Sequence, residues 1–209
     1  CFDCHKEKGE KVGFVHKPLI TIPDLILDNK RITLLTGANG CGKTTLLKTL
    51  SGWLSPLCGE MSPSDFSGLT YVPESPPLFA YLTVFEHFKL AAALCKETRF
   101  SPEVLLESLD LTSVREVYPQ TLSSGLKKMV GLGCALIPQS SFVLLDEPTS
   151  MLDKPYRTAV YRILNQLHLN GIGVLFSSHG EEDKKLFSHK LLIDQKTLDW
   201  DASPLSQKV

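Results

Sequence analysis

A chain of 209 residues, 43% hydrophobic and 22% charged, carries enough apolar material for one globular domain, or two closely joined lobes, around a real core. Its net charge of −1 supplies no basic field for nucleic acid, and no apolar run approaches the roughly 18 residues that a membrane-spanning helix needs. No secretory h-region is expected at the start, so work at a membrane calls for docking onto another protein there.

The six cysteines (Cys1, Cys4, Cys41, Cys58, Cys95 and Cys134) are scattered and read as reduced thiols. Cys1-Phe2-Asp3-Cys4-His5 spells the pattern of c-type haem attachment, here a chance match in a terminal stretch. Residues 31–36 form a short apolar, β-rich run and predict a buried strand. A glycine-rich loop follows at once, and then a helix over 43–51 ended by Gly52. Residues 69–72 predict a second strand, stopped by Pro73. Helices are predicted over 84–94 and 102–109, the latter capped by Ser101, and another over 126–136 opening just after Gly125. Residues 142–145 are a fully apolar strand. The helix predicted over 154–169 carries Tyr156, Val160, Ile163, Leu164 and Leu167 on one stripe. A strand over 173–177, a short helix over 181–186 and a strand over 190–193 complete the series, and the tail after Trp200 is polar. Strands alternating with helices predict an α/β fold, a mostly parallel sheet flanked by helices, with a small helical lobe between the glycine loop and Leu122. The expected division is one domain over 1–209, its core at about 10–75 and 137–200 and its helical lobe at about 76–136.

The chemistry concentrates in a few strings. Gly37-Ala38-Asn39-Gly40-Cys41-Gly42-Lys43-Thr44, followed by Thr45, stands between strand and helix, the context a phosphate-binding loop demands. Its glycines let backbone N–H groups curl around phosphate oxygens, and the helix dipole adds a favourable field. Lys43 is placed to reach the β- and γ-phosphates of ATP, and Thr44 to offer a hydroxyl to Mg²⁺. Asp146 emerges from the C-terminal end of an apolar strand, where ligands bind in such sheets, and is expected to hold Mg²⁺ through water. Glu147 beside it is the candidate general base for the attacking water.

These strings, together with Leu122-Ser123-Ser124-Gly125-Leu126, Ser150-Met151-Leu152-Asp153 and Ser177-Ser178-His179, occur in one fixed order that resembles the ATP-binding cassette (ABC) ATPases. The resemblance covers about residues 14–193 and implies the P-loop NTPase fold of that family. It implies that His179 contacts the γ-phosphate. It also implies that Ser123 and Gly125, in a signature usually written Leu-Ser-Gly-Gly-Gln, face the γ-phosphate bound on a second subunit, so that two ATP molecules lie in a head-to-tail dimer. Ser124 and Leu126 depart from that signature, which puts hydrolysis rate and dimer affinity in doubt. Glu74 stands where the family has a glutamine that touches Mg²⁺ and senses the membrane partner, and a carboxylate there is still a metal ligand. The stretches 71–78 and 82–86 resemble ABC-2-type exporters. Phe14, 23 positions before Gly37, stands where an aromatic stacks on adenine, and is equally readable as core. Ser150 to Asp153 resembles the loop that crosses the dimer interface, with Asp153 also a candidate helix N-cap.

The resemblance therefore implies an ATPase subunit of an export transporter, a homodimer docked on integral membrane subunits at the cytoplasmic face of the inner or plasma membrane, with no nucleic acid. Small size for the family makes the haem exporter of cytochrome c maturation the favoured subfamily, beside generic ABC-2-type export of a drug, lipid or polysaccharide. A soluble ABC ATPase acting on ribosomes or nucleic acid is the alternative. The interval from the glycine loop to Leu122 holds no coiled coil or zinc insertion, and the chain carries one cassette, both of which count against that alternative.

Overall fold

The computed structural model describes residues 10–14, 17–22, 31–57, 68–187, 189–194 and 197–200. The Cys1–His5 motif, Cys58 and the tail beyond Trp200 lie outside the described residues.

In chain order the strands are β1 (Glu10–Phe14), β2 (Lys17–Ile22), β3 (Ile32–Gly37), β4 (Leu69–Val72), β5 (Phe142–Leu145), β6 (Gly173–Ser177), β7 (His189–Asp194) and β8 (Thr197–Trp200). The helices are α1 (Lys43–Leu50), α2 (Val84–Ala93), α3 (Pro102–Ser108), α4 (Ser124–Leu136), α5 (Lys154–Leu169) and α6 (Glu181–Leu186). The described strands form one sheet in the order β1-β2-β8-β7-β3-β6-β5-β4. The run β7-β3-β6-β5-β4 is parallel throughout, while β1 pairs antiparallel with β2 and β8 antiparallel with β7. The α/β architecture read from the sequence is thus present, extended by a mixed edge (β1, β2, β8), in which β2 pairs parallel with β8, that the apolar runs did not announce.

Alternation along each central strand fills two cores. Leu34, Val143, Leu145, Val174 and Phe176 point to one face, where they pack with apolar residues of α2, α3, α4 and α5. Leu35, Phe142, Leu144 and Leu175 point to the other, against Leu46 and Leu47 of α1 and Ile20, Ile22, Leu191 and Ile193. Burial on both faces explains why these strands read as continuous apolar runs. The stripe on α5 buries Val160, Ile163, Leu164 and Leu167 as read, adds Ala159, and leaves Tyr156 partly buried.

Two helix starts have local causes. α2 opens with a capping box: the Glu86 N–H donates to the Thr83 hydroxyl, and the Glu86 carboxylate accepts from the Thr83 N–H at 2.8 Å. α4 opens at Ser124, earlier than the expected 126, because the Ser123 hydroxyl accepts from the Leu126 N–H at 3.2 Å and caps the helix. Asp153 occupies the N-cap position of α5 without a side-chain capping bond. Among the described residues no helix is long and apolar enough to cross a membrane. The C-terminal ends of β3, β6, β5 and β4 share one edge of the parallel sheet, and the loops leaving them carry Gly37, His179, Asp146 and Glu74.

Candidate functional site

The glycine loop leaves β3 at Gly37, whose φ of 152° suits glycine and whose surroundings leave no room for a side chain. A Cβ there would stand 2.7 Å from Cys41 Sγ and 2.9 Å from the Ile193 carbonyl oxygen. Gly42, at φ 111°, is the N-cap of α1 and offers no side-chain cap, so the first-turn N–H groups stay open toward a ligand. Lys43 is 8% exposed, and its ammonium donates to the carbonyls of Gly37 at 3.0 Å and Ala38 at 3.3 Å. The loop therefore holds its cation against its own backbone, directly over the N-terminus of α1.

Facing it is a wall of side chains from β4, β5 and β6. Asp146 is buried, and its Oδ1 accepts from the Ser177 hydroxyl at 2.7 Å. The Tyr71 hydroxyl lies 3.5 Å from Oδ2. Burial, reinforced by the Asp146 charge, pushes the Tyr71 phenol well above its ordinary value, so it remains a neutral donor. The same Ser177 hydroxyl accepts from the Glu147 N–H at 2.9 Å. Glu147 has φ 47°, a left-handed conformation rare outside glycine that turns its carboxylate back over the strand end. There its Oε2 lies 3.0 Å from Nδ1 of His179, within hydrogen-bond distance.

Behind His179, Asp183 is 2% exposed and accepts from three hydroxyls: Ser178 at 2.6 Å, Thr149 at 2.7 Å and Tyr161 at 2.5 Å. This carboxylate joins the loop of His179 to the loop of Glu147. Lys128 on α4, also 8% exposed, donates to the carbonyls of Glu147 at 2.8 Å and Ser150 at 3.1 Å.

Asn39, Gly40, Gly42, Lys43, Thr44, Thr45, Glu74, Asp146, Glu147 and His179 line one cleft of about 490 Å³. Gly37 and Ala38 line an adjoining hollow that also reaches His179. A larger hollow of about 610 Å³, between Cys95 and Ser141, lies at the opposite end of β5, away from this chemistry. Ser123 and Gly125 do not line the cleft; a Cβ on Gly125 would stand 3.2 Å from a Leu152 methyl and 3.4 Å from the Met151 carbonyl oxygen. Phe14 ends β1, and its side chain lies outside the described residues. Ser177, Asp183 and Lys128 were not identified from the sequence as site residues. The signals were slight: a hydroxyl closing an apolar strand, an acid four positions after His179, and a lysine one turn into α4.

Among the described residues no three His, Cys, Asp or Glu side chains cluster as a metal site. The available donors are the Asp146 and Glu74 carboxylates and the Thr44 hydroxyl, all on the one cleft or at its wall. Two carboxylates and a hydroxyl suit Mg²⁺, which keeps waters and takes phosphate oxygens rather than filling an all-protein cage. The residues therefore fit the ion.

A family model described as ABC transporter matches residues 22–150. The ABC-type transporter ATP-binding protein EcsA of Bacillus subtilis is 31% identical over 183 residues, covering 80% of this chain and 73% of that protein. The Fe(3+) ions import ATP-binding protein FbpC of Haemophilus influenzae is 28% identical, covering 87% of this chain, which spans only 61% of that longer protein. An ATP-binding cassette solved as a dimer in a post-hydrolysis state, bound to ADP and Pi, superposes with a TM-score of 0.79 over 92% of this chain and 95% of that one; at 18% identity this likeness speaks to the fold alone. With a loop, an acid pair and a histidine converging on one cleft, and a family match across more than half its length, the chain belongs to the ABC transporter family as an ATP-binding, ATP-hydrolysing subunit.

Proposed function

We propose that this chain drives export: two copies close head to tail on two ATP molecules, hydrolysis reopens them, and the motion passes to separate membrane subunits at the cytoplasmic face of the inner or plasma membrane. The observation that carries the reading is the Glu147–His179 pair, 3.0 Å apart on the cleft that Lys43 and the glycine loop share. Loop N–H groups bind the phosphates, and the Lys43 ammonium exchanges the carbonyls of Gly37 and Ala38 for β- and γ-phosphate oxygens, which are charged and therefore stronger partners. Glu147 takes the proton of the attacking water, and His179 orients it while meeting the γ-phosphate. Thr44, Asp146 and Glu74 are the residues that would hold Mg²⁺, which when bound would supply charge neutralisation at the phosphate oxygens. Phe14 stacks on adenine, and Ser123 and Gly125 meet the partner copy's γ-phosphate. The core over 10–75 and 137–200 carries the nucleotide, and the helical lobe over 76–136 carries the signature.

Export rather than import rests on Glu74 and on the resemblance of 71–78 and 82–86 to ABC-2-type exporters. Within export, the haem exporter of cytochrome c biogenesis is the favoured subfamily. The test is Glu147→Gln, tagged and captured from native membranes with Mg-ATP. Retained ATP binding, lost hydrolysis, an ATP-dependent dimer and recovery of a polytopic membrane protein support the reading, and haem-exporter subunits in that recovery support its finer form. Hydrolysis that survives the substitution, or recovery of ribosomes alone, sinks it.

A further inference from the structure

Lys128 is a buried cation that the reaction as described does not use. Lysine is rarely buried without partners, and this one spends its ammonium inside the molecule. It donates to the carbonyl of Glu147 at 2.8 Å, to the carbonyl of Ser150 at 3.1 Å and to the Ser150 hydroxyl. That hydroxyl in turn lies 3.4 Å from Oε1 of Glu74. One side chain therefore reaches the backbone of the candidate base, the loop after it and, through Ser150, the acid that replaces the family's glutamine. Burial disfavours its charge, while Glu74, Glu147 and Asp146, in that order, favour it.

Two features give these bonds a purpose. Glu147 holds a φ of 47°, which a glutamate adopts only when its surroundings impose it. Its N–H is pinned by Ser177 and its carbonyl by Lys128, so both flanks of the strained residue are fixed. Lys128 also rides on α4, the helix capped by Ser123, so the signature segment and the base are joined by a single side chain.

We infer that Lys128 is a positioning residue for ATP hydrolysis, holding the Glu147 backbone so that its carboxylate faces His179, and serving as the counter-charge that accommodates a carboxylate at Glu74. The inference rests on Glu147 being the base, so Glu147→Gln belongs in the same experiment.

Lys128→Met and Lys128→Gln are compared with wild type and Glu147→Gln in the full chain, by steady-state Mg-ATP hydrolysis, equilibrium ATP binding and thermal melting. In Lys128→Met, kcat falls at least tenfold while the ATP dissociation constant moves less than threefold. Lys128→Gln, which keeps an N–H donor without the charge, recovers part of the loss. Adding Glu74→Gln to Lys128→Met costs less than the two single losses multiplied, because the uncompensated carboxylate is gone. Hydrogen exchange at the Ser150 amide, which donates to the Glu147 carbonyl, quickens in Lys128→Met while Leu144 in β5 does not change. A kcat within threefold of wild type in both Lys128 variants overturns the inference, and Lys128→Gln carries the test alone should Lys128→Met not fold. A loss of kcat matched by equal loss of ATP binding, with multiplicative effects for Glu74, also overturns it, since that is the pattern of a merely structural lysine. Hydrolysis surviving in Glu147→Gln overturns the base assignment instead, and is read from a different protein.

Discussion

The two walls of the cleft are built in opposite ways. The glycine loop is local: neighbouring residues turn their own backbone into the binding surface, and Lys43 folds onto carbonyls five and six positions before it. The facing wall is assembled from afar. Asp146, Glu147, Ser177 and His179 come from two strand ends some thirty positions apart, Glu74 and Tyr71 from a third, and Lys128 from a helix. A backbone surface binds whatever phosphate fits it, and its failures are steric. A wall of side chains fixes protons and angles, and its failures leave binding intact while chemistry stops.

The largest expected effect tests that contrast directly. Glu147→Gln keeps the shape and removes the proton acceptor, so kcat falls by about 10²- to 10⁴-fold, the usual worth of a general base. ATP affinity should stay within a few fold, read by equilibrium binding. Gly37→Ala is the converse. Its Cβ meets a backbone oxygen at 2.9 Å, which cannot swing away as a side-chain tip can. Overpacking of this kind costs about 1–3 kcal/mol, so ATP affinity falls by up to about a hundredfold. Turnover of the ATP that still binds falls much less. If Gly37→Ala instead abolished turnover with affinity unchanged, the two walls would not divide the labour.

A smaller effect sharpens the picture of the facing wall. Asp183 gathers three hydroxyls, and asparagine offers one oxygen where aspartate offers two. Asp183→Asn should cost about 2 kcal/mol, the scale of a hydrogen bond to a buried charge, and lower Tm by roughly 4–8 °C. Because Ser178 and Thr149 precede and follow the working residues, kcat should fall with it while ATP affinity holds. A full loss of Tm with kcat unaltered would make Asp183 a scaffold residue only.

How much of this was legible follows from the same contrast. The loop was readable because its residues are contiguous and their spacing is the chemistry. Asp146, Glu147 and His179 were readable too: Asp146 directly follows the apolar strand β5 and Glu147 comes next, while His179, two positions past β6, was singled out by its resemblance to the family's motif. Ser177, Asp183 and Lys128 were not, because their significance lies in which distant atoms they meet, and a serine, an acid or a lysine at such places is ordinarily a surface residue. The edge of β1, β2 and β8 was missed for a related reason: β1 and β8 are short and mix polar with apolar residues, and β2 opens on Lys17-Pro18. The start of α4 slipped because Ser123 was assigned to the signature first, though the same hydroxyl caps the helix.

Thr83 and Glu86 show that a string can belong to family resemblance and to local folding at once. They lie in the stretch that resembles ABC-2-type exporters, yet each closes a hydrogen bond that starts α2. The Glu86 carboxyl is held below its ordinary range, first by the Thr83 backbone N–H, then by the Thr83 side chain and nearby positive charge. A carboxylate favoured in the folded state contributes stability above its unfolded value, near 4.3, and loses it as pH falls through the lower folded value. Glu86→Gln keeps the acceptor oxygen and removes the charge. Its melting temperature should lie slightly below wild type at pH 7, and the gap should close as the pH drops below about 4. Thr83→Ala, which removes the cap itself, should cost about 1 kcal/mol at neutral pH. Neither change touches the cleft, so ATP affinity and kcat per folded molecule should be unaltered. A clear loss of activity in Glu86→Gln at pH 7, with Tm unchanged, would mean that the stretch works in coupling rather than in capping, and the family resemblance would then carry more than the helix it starts.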